Sequence, residues 1–178
     1  THEGNIYLSQ FLGNGIHYEA QQNYESCYRH LQRILSFSPD TVVTDLHPDF
    51  HATLFGNELA RKSNAKLTHL QHHKAHFYAV LGENSLLNLK SPVLGIIWDG
   101  LGLGEDHQVW GGELFLFQKG QMDRLDHLDY FPVIAGDKMS NEPRLSAFSL
   151  GWNHTGARKL IREKFTEQEI RLYERMRE

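Results

Sequence analysis

With 178 residues, 40% hydrophobic and 22% charged, the chain has an ordinary globular composition and enough length to bury a core. A formal net charge of −4 excludes the global basic footprint of a nucleic-acid binder, and no apolar run approaches the roughly 20 residues that span a bilayer. The single cysteine, Cys27, excludes an internal disulfide framework and a cysteine-rich zinc site. The polar opening Thr1-His2-Glu3-Gly4 has no signal-peptide pattern, so a cytoplasmic location is expected; without an initiator Met, the sequence also reads as a fragment.

In chain order, Ile6-Tyr7-Leu8-Ser9 reads as a short strand closed by the turn Gly13-Asn14-Gly15. Tyr24, Cys27, Tyr28, Leu31, Ile34 and Leu35 then fall at helical spacing, which puts Cys27 on a buried face; a reactive thiol is the alternative. Ser38-Pro39-Asp40 breaks that helix, and Thr41-Val42-Val43-Thr44 reads as a buried strand running into Asp45-Leu46-His47-Pro48. Phe50, Leu54, Phe55 and Leu59 predict a second helix through one apolar face, and Lys66 to Leu70 a short strand. A third helix opens at the histidine cluster and runs to about Glu83. A strand over 93–98 ends in a glycine-rich turn, Asp99-Gly100-Leu101-Gly102-Leu103-Gly104. Val109 to Gln118 and Met122 to Tyr130 form a hairpin around Lys119-Gly120-Gln121. Residues 131–152 read as mostly irregular, and a helix covers about 155–165. Thr166-Glu167-Gln168-Glu169 has the form of a capping box and starts the last helix. That basic and acidic C-terminal segment is either a solvated helix face or a partner-binding helix. Helices alternating with short buried strands predict an α/β fold whose sheet mixes parallel and antiparallel strands.

The densest chemistry lies in Gln71-His72-His73-Lys74-Ala75-His76, with His69 just upstream. On a helix His72 and His76 share one face, and two imidazoles at that spacing supply part of a metal site. His73 stands where a zinc protease would need its Glu, so that motif is excluded. Asp99 and Asp45, each at the end of a predicted strand, are the candidate carboxylates; Asp45 is either an acid–base group or a helix cap. His69 and His73 read as surface or supporting residues. Gly100, Gly102 and Gly104 are candidates for holding a phosphate through backbone N–H groups, or form a plain loop. Gly111, Gly112 and Glu113 mark a bulge or the close approach of a ligand. Gly136-Asp137-Lys138 and Glu142-Pro143-Arg144 form a polar island that either lines a site or is ordinary surface.

Taken in order, Ser9-Gln10-Phe11-Leu12-Gly13, Asp45-Leu46-His47-Pro48-Asp49-Phe50, the Gln71–His76 string, the Asp99–Gly104 string, Trp110-Gly111-Gly112-Glu113 and Glu142-Pro143-Arg144 resemble the carboxy-terminal catalytic module of the HypF carbamoyltransferases. The resemblance runs from about residue 5 to residue 150, a first lobe, with a helical segment over about 153–178. It implies an actin-like ATPase (sugar kinase/Hsp70) type of fold. It implies ATP and carbamoyl-adenylate, the latter from a YrdC-like domain, as cofactor and donor, and a HypE-like acceptor whose C-terminal cysteine thiol receives the carbamoyl group. It also implies a divalent metal, iron or zinc, at His72 and His76, with Asp99 opening the phosphate-binding turn and Asp45 and Asp99 as the catalytic carboxylates. Leu101 stands where the family usually has Thr, Lys74 where His is common, and Asn14 where Asp is usual. As a fragment lacking the second lobe, the chain is expected to be inactive alone. A non-catalytic metal- or partner-binding domain is the alternative.

Overall fold

A computed structural model describes residues 1–136 and 138–177. Its first half is a β-α-β unit preceded by a helix. Helix α1 (Tyr18–Leu35) ends where Ser36 takes a left-handed backbone conformation. Strand β1 (Thr41–Asp45) pairs in parallel with β2 (Lys66–Leu70), Asp45 opposite Leu70, through the crossover helix α2 (His51–Ser63). The face α2 turns inward is Thr53, Gly56 and Ala60, not the predicted Phe50, Leu54, Phe55 and Leu59; Phe50 and Leu54 are about half exposed. The reason is close approach. A Cβ at Gly56 would collide with the Thr44 methyl, so small residues face the strand, while Phe55 and Leu59 stay half-buried, Phe55 against Tyr24 and Tyr28 of α1.

Helix α3 (His72–Glu83) starts at Gln71, whose Oε1 accepts from Lys74 N, and buries His73, Phe77 and Leu81 at i, i+4 and i+8. That stripe packs on an antiparallel sheet of β3 (Val93–Leu103), β4 (Val109–Gln118) and β5 (Gln121–His127). Phe77 and Leu81 join Trp110, Phe115 and Phe117 in one apolar core. The β4–β5 hairpin turns at Lys119 and Gly120, both with positive φ, as a two-residue loop requires. Parallel and antiparallel pairings thus occur as expected for the α/β class, but in two hydrogen-bonded sheets rather than one.

Three further local expectations are corrected. Ile6–Ser9 is not a strand: Ile6 and Leu8 are exposed and lack a pairing partner among the described residues. The Asp99–Gly104 segment is not a turn. It continues β3, and the register with β4 shifts between Trp98 and Gly102, so residues 99–101 bulge from a strand that resumes at Gly102. Residues 131–152 are largely helical, with α4 (Lys138–Asn141) and α5 (Pro143–Gly151), the latter begun by a proline at its first turn. With α6 (Thr155–Lys164) and α7 (Glu167–Met176) they enclose a second core around Leu145, Phe148, Ile161 and Tyr173. The predicted capping box at Thr166 and Glu169 is formed.

Candidate metal centre

Three elements end at one point. Strand β1 delivers Asp45, the N-terminal end of α3 delivers His72 and, one turn on, His76, and the bulge in β3 delivers Asp99. His72 Nδ1 lies 3.1 Å from Asp45 Oδ2, and His72 Nε2 lies 3.0 Å from Asp99 Oδ2. His76 Nε2 is 3.1 Å from His72 Nε2 and 3.2 Å from the same Asp99 oxygen. Asp99 Oδ1 accepts from Gly100 N at 2.6 Å.

Each of the three atoms of this triangle has a lone pair to offer a cation. A carboxylate only accepts, so the Asp45 contact favours a proton on His72 Nδ1, just as the Asp99 contact favours one on Nε2. In the neutral ring with its proton on Nδ1, Nε2 is a bare lone pair facing another acceptor, Asp99, and the His76 ring. A shared cation satisfies all three atoms at once. Ligand atoms bound at ~2.1 Å on one face of an octahedral ion lie ~3.0 Å apart, and on a tetrahedral ion ~3.4 Å apart. The observed 3.0–3.2 Å separations fall in that interval. Two imidazoles and a carboxylate suit iron and zinc alike. Burial pushes the Asp99 carboxyl up, but the Gly100 N–H and the charge of the surrounding imidazoles in their protonated form outweigh it, so its pKa lies below the usual carboxylate value.

The neighbouring histidines do other work. His73 is fully buried, and desolvation lowers its pKa despite the nearby acids. His69 faces Thr44, its Nδ1 2.8 Å from the hydroxyl. His47 stacks on Phe50 with ring centroids 4.2 Å apart.

Asp99 also borders an open cleft of about 740 Å³, lined by Gly100, Gly111, Gly112, Glu113 and the 128–133 segment. Gly100 has nothing within 4 Å of where a Cβ would stand, so this rim is open. The other expected cofactor-binding glycines have packing reasons. A side chain at Gly102 would strike His73, one at Gly104 the Trp110 indole, one at Gly111 the Asp99 carbonyl, and one at Gly112 the Leu128 side chain. Gly100, Gly102 and Gly104 all stay outside the left-handed region, so the alternating backbone of an anion-binding nest is absent from this segment. Glu113, expected to contact a ligand, lines the cleft but is engaged within the protein. Its buried carboxylate accepts from Gly111 N, Gly112 N and Arg124 Nε, the last at 2.6 Å.

Sequence reasoning missed the network around Arg124. Its guanidinium lies 3.9 Å over the Trp110 ring, and it reaches Glu113, Asp106 and Tyr130; the Tyr130 hydroxyl in turn donates to Asp106 at 2.7 Å. A lone arginine in an alternating strand was the only available signal. In the polar island, Asp137 lies outside the described residues. Arg144 pairs with Glu142, lies 5.0 Å over Phe165 and so ties α5 to the second core. Cys27 is half-buried on α1.

Residues 1–83 match the family model "HypF Kae1-like domain", and residues 95–178 match "Carbamoyltransferase, Kae1-like Domain, second subdomain". The chain belongs to the HypF family. It is 35% identical over 150 residues to carbamoyltransferase HypF of Synechocystis, covering 84% of this chain and 19% of that protein. It is 38% identical over 151 residues to carbamoyltransferase HypF2 of Cupriavidus necator, covering 84% and 18%. The probable carbamoyltransferase HypF of Methanocaldococcus jannaschii is 33% identical over 172 residues, covering 94% and 22%. The chain therefore spans about a fifth of the length of these curated relatives. The crystal structure of T. kodakarensis HypF superposes with a TM-score of 0.73 at 33% identity, covering 83% of this chain and 20% of that one. A full-length HypF in phosphate- and nucleotide-bound form gives a TM-score of 0.80 at 23% identity, covering 93% and 21%, and supports the shared fold. No helix among the described residues is long and apolar enough to cross a membrane.

Proposed function

We propose that the chain is the Kae1-like part of a cytoplasmic carbamoyltransferase of [NiFe]-hydrogenase maturation, on an actin-like ATPase type of fold. In this reading a YrdC-like domain makes carbamoyl-adenylate from carbamoyl phosphate and ATP. The C-terminal cysteine thiol of a HypE-like acceptor then takes the carbamoyl group. The new S–C bond forms as the C–O bond to the adenylate phosphate breaks, the thiol loses its proton, and AMP departs.

The observation that supports this best is the convergence of His72 Nε2, His76 Nε2 and Asp99 Oδ2 at the edge of an open cleft. A bound divalent ion, iron or zinc, would supply a Lewis acid where negative charge develops on the carbonyl oxygen. The chain's own residues supply the donors. Asp99 is held as a carboxylate by the Gly100 N–H, and the backbone at Gly100 leaves room for a reactant beside it. Half-buried Cys27 lies on α1 rather than among these donors, in keeping with an acceptor thiol that comes from the partner.

The test is metal analysis of the purified chain beside a His72→Ala/His76→Ala double variant. One equivalent of metal, lost in the variant, is expected; metal-free protein in both cases counts against the reading. The chain alone, about a fifth of its relatives' length, is expected to hold the ion without consuming carbamoyl phosphate and ATP. Turnover by the chain alone would refute that part.

A further inference from the structure

We propose that Asp45 is a positioning residue that locks the His72 proton on Nδ1 and thereby keeps the Nε2 lone pair free for a metal ion. The inference rests on the metal-centre reading above and deepens it.

Both Asp45 oxygens are committed. Oδ2 lies 3.1 Å from His72 Nδ1, and Oδ1 accepts from His47 N at 2.8 Å. The backbone is held as well, since the Asp45 carbonyl accepts from the hydroxyls of Thr44 and Thr53. The carboxylate therefore cannot turn away from the ring without breaking the turn into His47. A ligating imidazole is aligned and made more basic by just such an acceptor on its far nitrogen.

His73, the next residue, carries the opposite tautomer. Gln71 Oε1 accepts from Lys74 N while its Nε2 donates to the Leu103 carbonyl at 3.1 Å, which fixes the orientation of the amide. The same Nε2 lies 3.0 Å from His73 Nδ1, so that nitrogen accepts and the proton of His73 is on Nε2. That Nε2 is buried and without a hydrogen-bond partner among the described residues. In this reading two adjacent histidines are set in opposite tautomers, one by an acid and the other by an amide. Of these two, only His72 turns a bare Nε2 toward Asp99 and His76.

An asparagine at position 45 cannot serve both neighbours. With its oxygen on His47 N, its amide donates to His72 Nδ1 and drives the proton to Nε2, where the ion should bind. With its oxygen on His72, the amide N–H groups face His47 N–H.

The experiment is zinc titration of the wild-type chain and its H76A, D45A and D45N variants by calorimetry. It is paired with ¹⁵N NMR of the imidazole tautomers in metal-free protein. Zinc binding by wild type, its loss in H76A, a weakening of about 10–100-fold in D45A, and in D45N at least that loss together with a shift of His72 to the Nε2–H form, are expected. Wild-type zinc affinity in D45N, or a His72 that keeps its proton on Nδ1 in both variants, overturns the positioning role while leaving the metal centre standing. No zinc uptake by wild type overturns the metal centre and this role with it. Should D45A not fold, the isosteric D45N carries both readouts.

Discussion

Gly102 and His73 are pressed so closely together that a Cβ at position 102 would fall 2.6 Å from His73 Cε1 and 2.9 Å from its Nδ1. The imidazole is fully buried, and its Nδ1 takes the Gln71 amide, so it has nowhere to retreat. Gly102→Ala is therefore expected to destabilise the chain by about 1–3 kcal/mol and to lift α3 off β3. Because His72 and Asp99 lie on those two elements, zinc affinity should fall with it, although residue 102 touches no ligand atom. Urea unfolding and zinc titration of the same variant measure both; unchanged values in both would mean the contact is relieved by a small strand shift.

Arg124 is the countercharge of a buried acid. Its Nε donates to Glu113, whose side chain is 1% exposed, and its guanidinium covers the Trp110 ring. Arg124→Ala leaves that carboxylate unpaired in the sheet, and a loss of about 3 kcal/mol or more is expected by chemical denaturation. The double change Arg124→Met with Glu113→Gln should recover part of it, since the uncompensated charge is then gone.

Acid unfolding should report on Asp106. Burial raises its pKa, but bonds from the Tyr130 hydroxyl, Gln108 N and the Trp110 indole, together with the Arg124 charge, outweigh that and bring it to about 2. A folded-state pKa below the unfolded value gives stability that is present above pH ~4 and lost as pH falls toward 2. Melting temperatures of wild type should decline across that interval. Asp106→Asn should start lower at neutral pH and show a flatter acid limb; a parallel pair of curves would assign the acid sensitivity elsewhere.

The second core should be separable from the metal centre. Phe148 is fully buried among Trp152, Phe165 and Tyr173, so Phe148→Ala should cost about 3–5 kcal/mol. Hydrogen exchange should show the loss concentrated in α5, α6 and α7. Zinc binding at His72 and His76 should survive, because α3 rests on the other core. Loss of zinc together with the helices would show that the two cores stand or fall as one.

Where a pattern repeated locally, the sequence was legible. The run of α1, the β1-α2-β2 unit, α3 from His72 to Glu83, the Lys119-Gly120 hairpin and the Thr166 capping box all follow from spacing, turn residues or caps, interactions that close within a few residues. Ile6–Ser9 has strand-like composition but lacks a partner, and pairing cannot be read from one strand alone. The inward face of α2 was misjudged because hydrophobicity ranks Leu54 above Gly56, whereas the distance of closest approach to Thr44 ranks them the other way. Asp99 to Gly104 was misjudged similarly. Its glycines resemble a turn in composition, but they let His73, Trp110 and the neighbouring strand come close to a strand that continues.

By itself, then, the sequence determined which residues are candidate metal ligands, that His72 and His76 share a helix face, and which family the motifs resemble. Tertiary structure alone decided that Asp45 lies behind His72 while Asp99 lies in front of it, that Glu113 is paired with Arg124, and that His72 Nδ1 meets a carboxylate whereas His73 Nδ1 meets an amide. The physical reason is range. Helical periodicity acts between residues three or four apart, whereas a proton's position on an imidazole is set by whichever acceptor the fold brings within about 3 Å, here a strand end 27 residues away.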